Sequence, residues 1–356
     1  MKKICLMLSL WLPLAMLAQP IPVDQIQKIL DKSVDGKRIF GTLVSLSKEG
    51  QTYHFGSGNM NPGDKYFIAS ISKVYTAAVL FQLIEQGKLS LDDSIQDYLP
   101  ARTLNGLHLF NGEEYSANIT IRHLLTNTSG LPDYFMQKNT QKESLLDYLL
   151  SKGDTSLTFD QIIDLTKSLA CKFPPGSKGK AYYSDSNFQL LGKIIQQLTG
   201  KSMADVYEDY IFKPLRLKQS YLYNDPSDTR PATMYYKKEV LAIPRMMAAF
   251  QSDGGIVSTS EENLRFLKAH MNGELFSEKK PDITTGWNKI YSPFQYGYGI
   301  MKFKFPGMPD MIGHAGANGS FAYYIPSRGL YLTGTINQIA KPQLVYKLIA
   351  KILETV

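Results

Sequence analysis

The strongest apolar pattern in the body of the chain runs from Phe67 to Ile84. Val74, Ala77, Ala78, Phe81 and Ile84 recur at helical spacing and Val79, Leu80 and Leu83 fill much of the other face, which predicts a buried helix that stops at Gly87. Residues 24–33 carry a short amphipathic helical pattern, and residues 40–58 alternate around a Lys-Glu-Gly turn as a hairpin does. From Asp92 to Phe250 helical patterns separated by Pro and Gly loops dominate, with little alternation. Alternation returns over 255–258, 296–303, 320–325 and 330–336, and a helix over 342–355 closes the chain. Strands before and after a helical middle, with helices at both ends, predict an α/β (α+β) sandwich. Its mostly antiparallel sheet draws on about 24–70 and 250–356, flanked by helices, with a helical subdomain over about 90–250. No internal repeat is visible.

The first 18 residues change the expected compartment. Lys2 and Lys3 precede an apolar run from Ile4 to Leu17 that ends at Ala18, which predicts a signal peptide over 1–18, a mature domain over 19–356 and export to the periplasm or medium. The run is short and interrupted by Pro13, so no stable membrane span is expected after cleavage, an uncleaved anchor being the alternative. Cleavage removes Cys5 and leaves Cys171 alone, so no intramolecular disulfide can form. The net charge of +7 falls to about +5 without the two signal lysines (7 − 2), with no long basic run, so a nucleic-acid partner is not expected.

Chemistry concentrates at Ser70 and Lys73, one helical turn apart on one face. A serine before a helix is ordinarily an N-cap. Lys73 argues against that reading, because the position three after a cap favours Glu or Gln and a cation there meets the positive end of the helix dipole. Such a field, with burial, lowers the lysine pKa and leaves a neutral amine able to take a proton from the hydroxyl. Ser72 is the weaker alternative, since Tyr75 follows it at that spacing. His123 has no second His or Cys at ligand spacing, so a packed or capping role is expected and no metal or other cofactor is.

The stretch FIASISK, its apolar helix, GKLSLDD and YLP together resemble the serine β-lactamase and penicillin-binding-protein superfamily, whose first motif is SxxK. The resemblance is to the class C-like branch, with its β-lactamases, D-alanyl-D-alanine carboxypeptidases and esterases, and implies the sandwich fold. ITIRHLLTNTSGLPDY at 119–134, GGIVSTSEENLRF at 254–266 and YGYGI at 296–300 extend it from about residue 24 to the C-terminus. The family's YxN motif is matched by Tyr183, with Tyr182 as fallback, while Asp185 stands where the family has Asn. The KTG or HxG triplet is matched by His314, Ala315 and Gly316, which the resemblance places on a sheet edge facing the serine.

The resemblance implies a catalytic set of Ser70, Lys73, Tyr183, Asp185 and His314. It implies an oxyanion hole from the backbone NH groups of Ser70 and Ala317, with Ala315 and Gly316 binding substrate. Carboxypeptidases and β-lactamases of the family use a threonine hydroxyl where Ala315 stands, so esters or peptides without a demanding carboxylate are favoured. Peptidoglycan fragments remain among the expected peptide substrates. The alternatives are a penicillin-binding, sensor-like or degenerate member, which the change at Asp185 favours, and a weak β-lactamase. An α/β-hydrolase would need a GxSxG elbow, which the sequence lacks.

Overall fold

A computed structural model describes residues 21–276 and 286–356, so the signal segment lies outside the described residues. The main sheet has eight strands. In spatial order they are Asn288–Tyr291, Phe294–Tyr296, Met301–Phe303, Met311–Ala315, Phe321–Ile325, Leu330–Thr335, Gly41–Lys48 and Gln51–Gly58. Every ladder is antiparallel, and the N-terminal hairpin joins the C-terminal strands where Leu43 opposes Thr335. Glu49 (φ 51°) and Gly50 (φ 80°) both take left-handed backbone, the geometry that closes a two-residue hairpin without splaying its strands.

Gly41–Ser47 is buried throughout, because the sheet is covered on both faces. Helices Val23–Ser33 and Leu344–Leu353 pack together on one, and helix Ser260–Asn272 packs on the other. The hydroxyls this burial traps are satisfied: Thr42 Oγ1 donates to Thr335 O (2.9 Å) and Ser45 Oγ to Ser260 Oγ (2.7 Å).

Four sequence expectations need correction. Residues 296–303 form two strands of a tight hairpin, because Gly299 takes φ 73° and Gly297 N bonds Ile300 O at 2.8 Å. The 255–258 pattern is the strand Ile256–Ser258, which leaves the main sheet and pairs with Tyr66–Phe67 and Tyr221–Leu222. The triplet strand Met311–Ala315 is fourth of eight, an interior strand and not an edge. The middle of the chain, though mainly helical, also holds two-residue ladders at Leu109–Phe110 with Glu113–Glu114 and at Tyr235–Tyr236 with Glu239–Val240.

Helix Ser72–Glu85 is the inner pillar, buried from Ser72 to Phe81. Burial of each large apolar side chain there contributes roughly 1.5–3 kcal/mol. Its polar groups are paired, with Thr76 Oγ1 donating to Ser252 O (2.6 Å) and Ser72 Oγ accepting from Ile256 N (3.2 Å). That second bond gives Ser72 a structural task.

Candidate active site

Ser70 sits in the short 3₁₀ turn Ala69–Ile71 ahead of the helix, which uses no side-chain cap, so the N-cap reading of Ser70 is not realised. Ala69 is held at φ 48°, a costly conformation for a residue with a Cβ. Contacts from the third motif hold the chain on its N-terminal side. Asn318 Nδ2 donates to Phe67 O (2.7 Å) and Ser320 Oγ to Ile68 O (2.8 Å). These bonds tie the serine turn to the loop that carries Ala317. The backbone NH groups of Ser70 and Ala317 bond no other described residue, and both residues line one cleft.

Lys73 is fully buried and all three of its ammonium directions are used. Nζ lies 2.7 Å from Asp185 Oδ1, 2.6 Å from Asp253 O and 3.1 Å from Ser70 Oγ. Burial pushes the lysine toward neutrality, but the Asp185 and Asp253 carboxyls outweigh it and the net shift is upward. The neutral amine expected from the helix dipole is therefore corrected: a carboxylate in contact is stronger than a partial charge at a helix end. The ammonium also lies 5.3 Å from the ring centre of Tyr183.

Tyr183 is half-buried and lines the same cleft as Ser70; burial, then the Asp185 charge, holds its phenol well above the ordinary range. Tyr182 instead lies under the Lys172 ammonium, 4.6 Å from its ring centre. The loop is set by the 119–134 segment, where Asn127 Oδ1 accepts from Ser184 N (3.0 Å) and Asn187 Nδ2 (2.7 Å), and Pro132 O accepts from Ser184 Oγ (2.8 Å). Asp185 is the first residue of helix Asp185–Thr199, and its carboxylate faces the lysine.

His314 is buried, its Nδ1–H donating to Ala315 O (2.8 Å) and its Nε2 facing Tyr296 OH (3.3 Å). Burial, then the Lys73 charge, lowers its pKa to about 3, so the ring is neutral and does not replace the family lysine's charge. His123 closes a capping box with Thr120, as expected.

Three site residues escaped sequence reasoning. Tyr296 packs edge-on against Tyr183, ring centres 5.7 Å apart, and sits inside the YGYGI echo without looking chemical. Asp133 and Asp253 are buried acids beside the lysine pair. Burial, then the Asp185 charge, raises Asp133 to about 8 and Asp253 well above its ordinary value. Asp253 Oδ2 accepts from Tyr134 OH at 2.7 Å. It lies one residue before the 254–266 echo, with no local pattern to single it out.

The Asp185 contact makes a pH prediction. An ionised Asp185 holds the proton on Lys73, so activity should rise with pH as the coupled group of Asp185, Lys73 and Tyr183 loses a proton. Asp185→Asn removes the upward pull, and the rising limb of kcat/KM should move to lower pH. A limb that stays in place would mean that Asp185 does not govern the lysine.

The family model for Beta-lactamase matches residues 26–355. Penicillin-binding protein 4 of Amycolatopsis lactamdurans is 23% identical over 331 residues, covering 82% of this chain and 78% of that protein. Protein flp of Staphylococcus aureus (strain MW2) is 27% identical over 207 residues, 55% of this chain, and the match spans only 38% of the relative. Among solved structures, a D-stereospecific amidohydrolase from Streptomyces sp. aligns with TM-score 0.77 and 24% identity, covering 94% of this chain and 99% of that one. At that identity the likeness speaks for the fold.

Proposed function

Since the chain belongs to the β-lactamase family, we propose that it is an exported serine hydrolase forming an acyl-enzyme at Ser70 on small esters or amides, D-amino-acid peptides of the cell wall among them. One observation carries the reading. Ser70 Oγ lies 3.1 Å from a buried lysine that is paired with Asp185 at 2.7 Å, in the wall of an open cleft. Few structural needs would place a lysine and a carboxylate behind a half-exposed serine. Among the described residues no helix is long and apolar enough to cross a membrane.

In this mechanism Ser70 Oγ attacks the substrate carbonyl carbon while its proton passes to Lys73, once the coupled group has released one to solvent. The carbonyl oxygen becomes an oxyanion between the NH groups of Ser70 and Ala317. Tyr183, at the serine, relays a proton to the leaving oxygen or nitrogen, and water then releases the acyl group by the reverse path. His314, being neutral, shapes the site beside Tyr296.

A second reading, a penicillin-binding or sensor-like member that acylates without turnover, draws on the fully committed ammonium of Lys73. Stoichiometric labelling by penicillin without ester or amide turnover would select it.

The test is a screen of the purified protein against short-chain aryl esters, D-alanyl peptides and amides, and nitrocefin. Aryl esters should be turned over faster than nitrocefin, because Ala315 offers no hydroxyl to a substrate carboxylate. Ala315→Thr should improve nitrocefin relative to the ester by roughly ten- to a hundredfold, the worth of one charge-assisted hydrogen bond. Nitrocefin as the better substrate of the unmodified protein would refute this specificity.

A further inference from the structure

The cleft beside Ser70 is about 390 Å³ in volume and mostly apolar. Phe135, Met234, Ile243, Met247 and Phe250 supply one wall from the helical part of the chain. Phe294, Met301 and Phe303 from the outer strands, with Val345 and Tyr346 from the terminal helix, supply the other. No Lys or Arg lines it among the described residues. The cation nearest the serine, Lys73, is fully buried with its ammonium directions used. Asn318, a polar lining residue, spends its amide on Phe67 O and its oxygen on Ser320 N. The acidic side chains on the lining are Asp185 and Asp253, so an incoming anion would approach carboxyl groups and no cation.

An apolar enclosure gains free energy from every non-polar surface it takes out of water, whereas an anion drawn into it loses hydration and finds no cation in return. Methionine side chains in the wall can repack around groups of differing shape. Together these features exceed what the missing hydroxyl at position 315 implies. They set a size and polarity requirement on the whole substrate, beyond the absence of one carboxylate contact. Resting on the hydrolase reading of Ser70, we infer that the cleft selects uncharged acyl compounds carrying a bulky arylalkyl or medium-chain alkyl group, and excludes anionic compounds of the same size.

The inference is tested by binding, which does not need turnover. Ser70→Ala is titrated calorimetrically at pH 7 with 4-phenylbutyramide and with 4-phenylbutyrate, ligands of one size that differ in charge. The amide should bind at least about tenfold more tightly than the acid, and more tightly than acetamide by a similar factor. Ala315→Lys in the same background places a cation in the wall and should narrow the amide-to-acid ratio to within about threefold. Competition by the same pair against hydrolysis of an aryl ester by the unmodified protein gives the ratio without a variant. Equal binding of amide and acid, tighter binding of the acid, or an acetamide as good as the phenylbutyramide would overturn the inference. If Ser70 takes no acyl probe while the binding ratio holds, the hydrolase reading fails and the cleft's selectivity stands.

Discussion

Ser70→Ala is expected to lose ester and amide hydrolysis by about 10⁴-fold or more, the scale seen when a covalent nucleophile is removed. Covalent labelling should disappear with it. A fluorophosphonate or penicillin should add its mass to the peptide containing Ser70 in the unmodified protein and to no peptide of the variant. The fold should survive, because Ser70 is half-exposed, its Oγ bonds Lys73, and the helix behind it is anchored by other bonds. A thermal transition within a few degrees of the parent would therefore accompany the loss. Labelling that persists undiminished in Ser70→Ala would sink the assignment and return attention to another hydroxyl.

Lys73→Ala is expected to reduce kcat/KM by about 100-fold or more, the contribution of a positioned proton acceptor. It carries a second consequence that the paired geometry requires. Removing the ammonium leaves Asp185 facing an empty, buried position, and breaking a buried pair from one side destabilises by about 3–5 kcal/mol. The double variant Lys73→Ala with Asp185→Asn removes both charges. It should recover most of the lost stability by urea denaturation while remaining as inactive as the single variant. Recovery of activity in the double variant would show that Lys73 serves only to neutralise Asp185.

Much of this site was legible one motif at a time. The SxxK spacing, the tyrosine before the Asp185 helix and the histidine before an alternating strand each depend on short-range pattern, and the structure brings Ser70, Lys73, Tyr183 and Asp185 together. The protonation state of Lys73 was less accessible. Position on a helix reports the local dipole, whereas the decisive carboxylate lies 112 residues further along (185 − 73) and reaches the lysine only through tertiary packing.

By itself the sequence determined the apolar helix behind Ser70, the N-terminal hairpin and the order of the motifs, because each is fixed by side-chain periodicity or turn chemistry between neighbours. Tertiary structure decided what periodicity cannot encode. The triplet strand is interior because strands from 288–303 extend the sheet beyond it, and the 256–258 strand leaves that sheet because its backbone partners are at 66–67 and 221–222. Asp253 becomes a site residue only when that small sheet docks beside the serine turn, where its carbonyl meets Lys73 at 2.6 Å. Hydrogen-bond partners and the desolvation of a charge are properties of the assembled chain, so the site's electrostatics could be read only there.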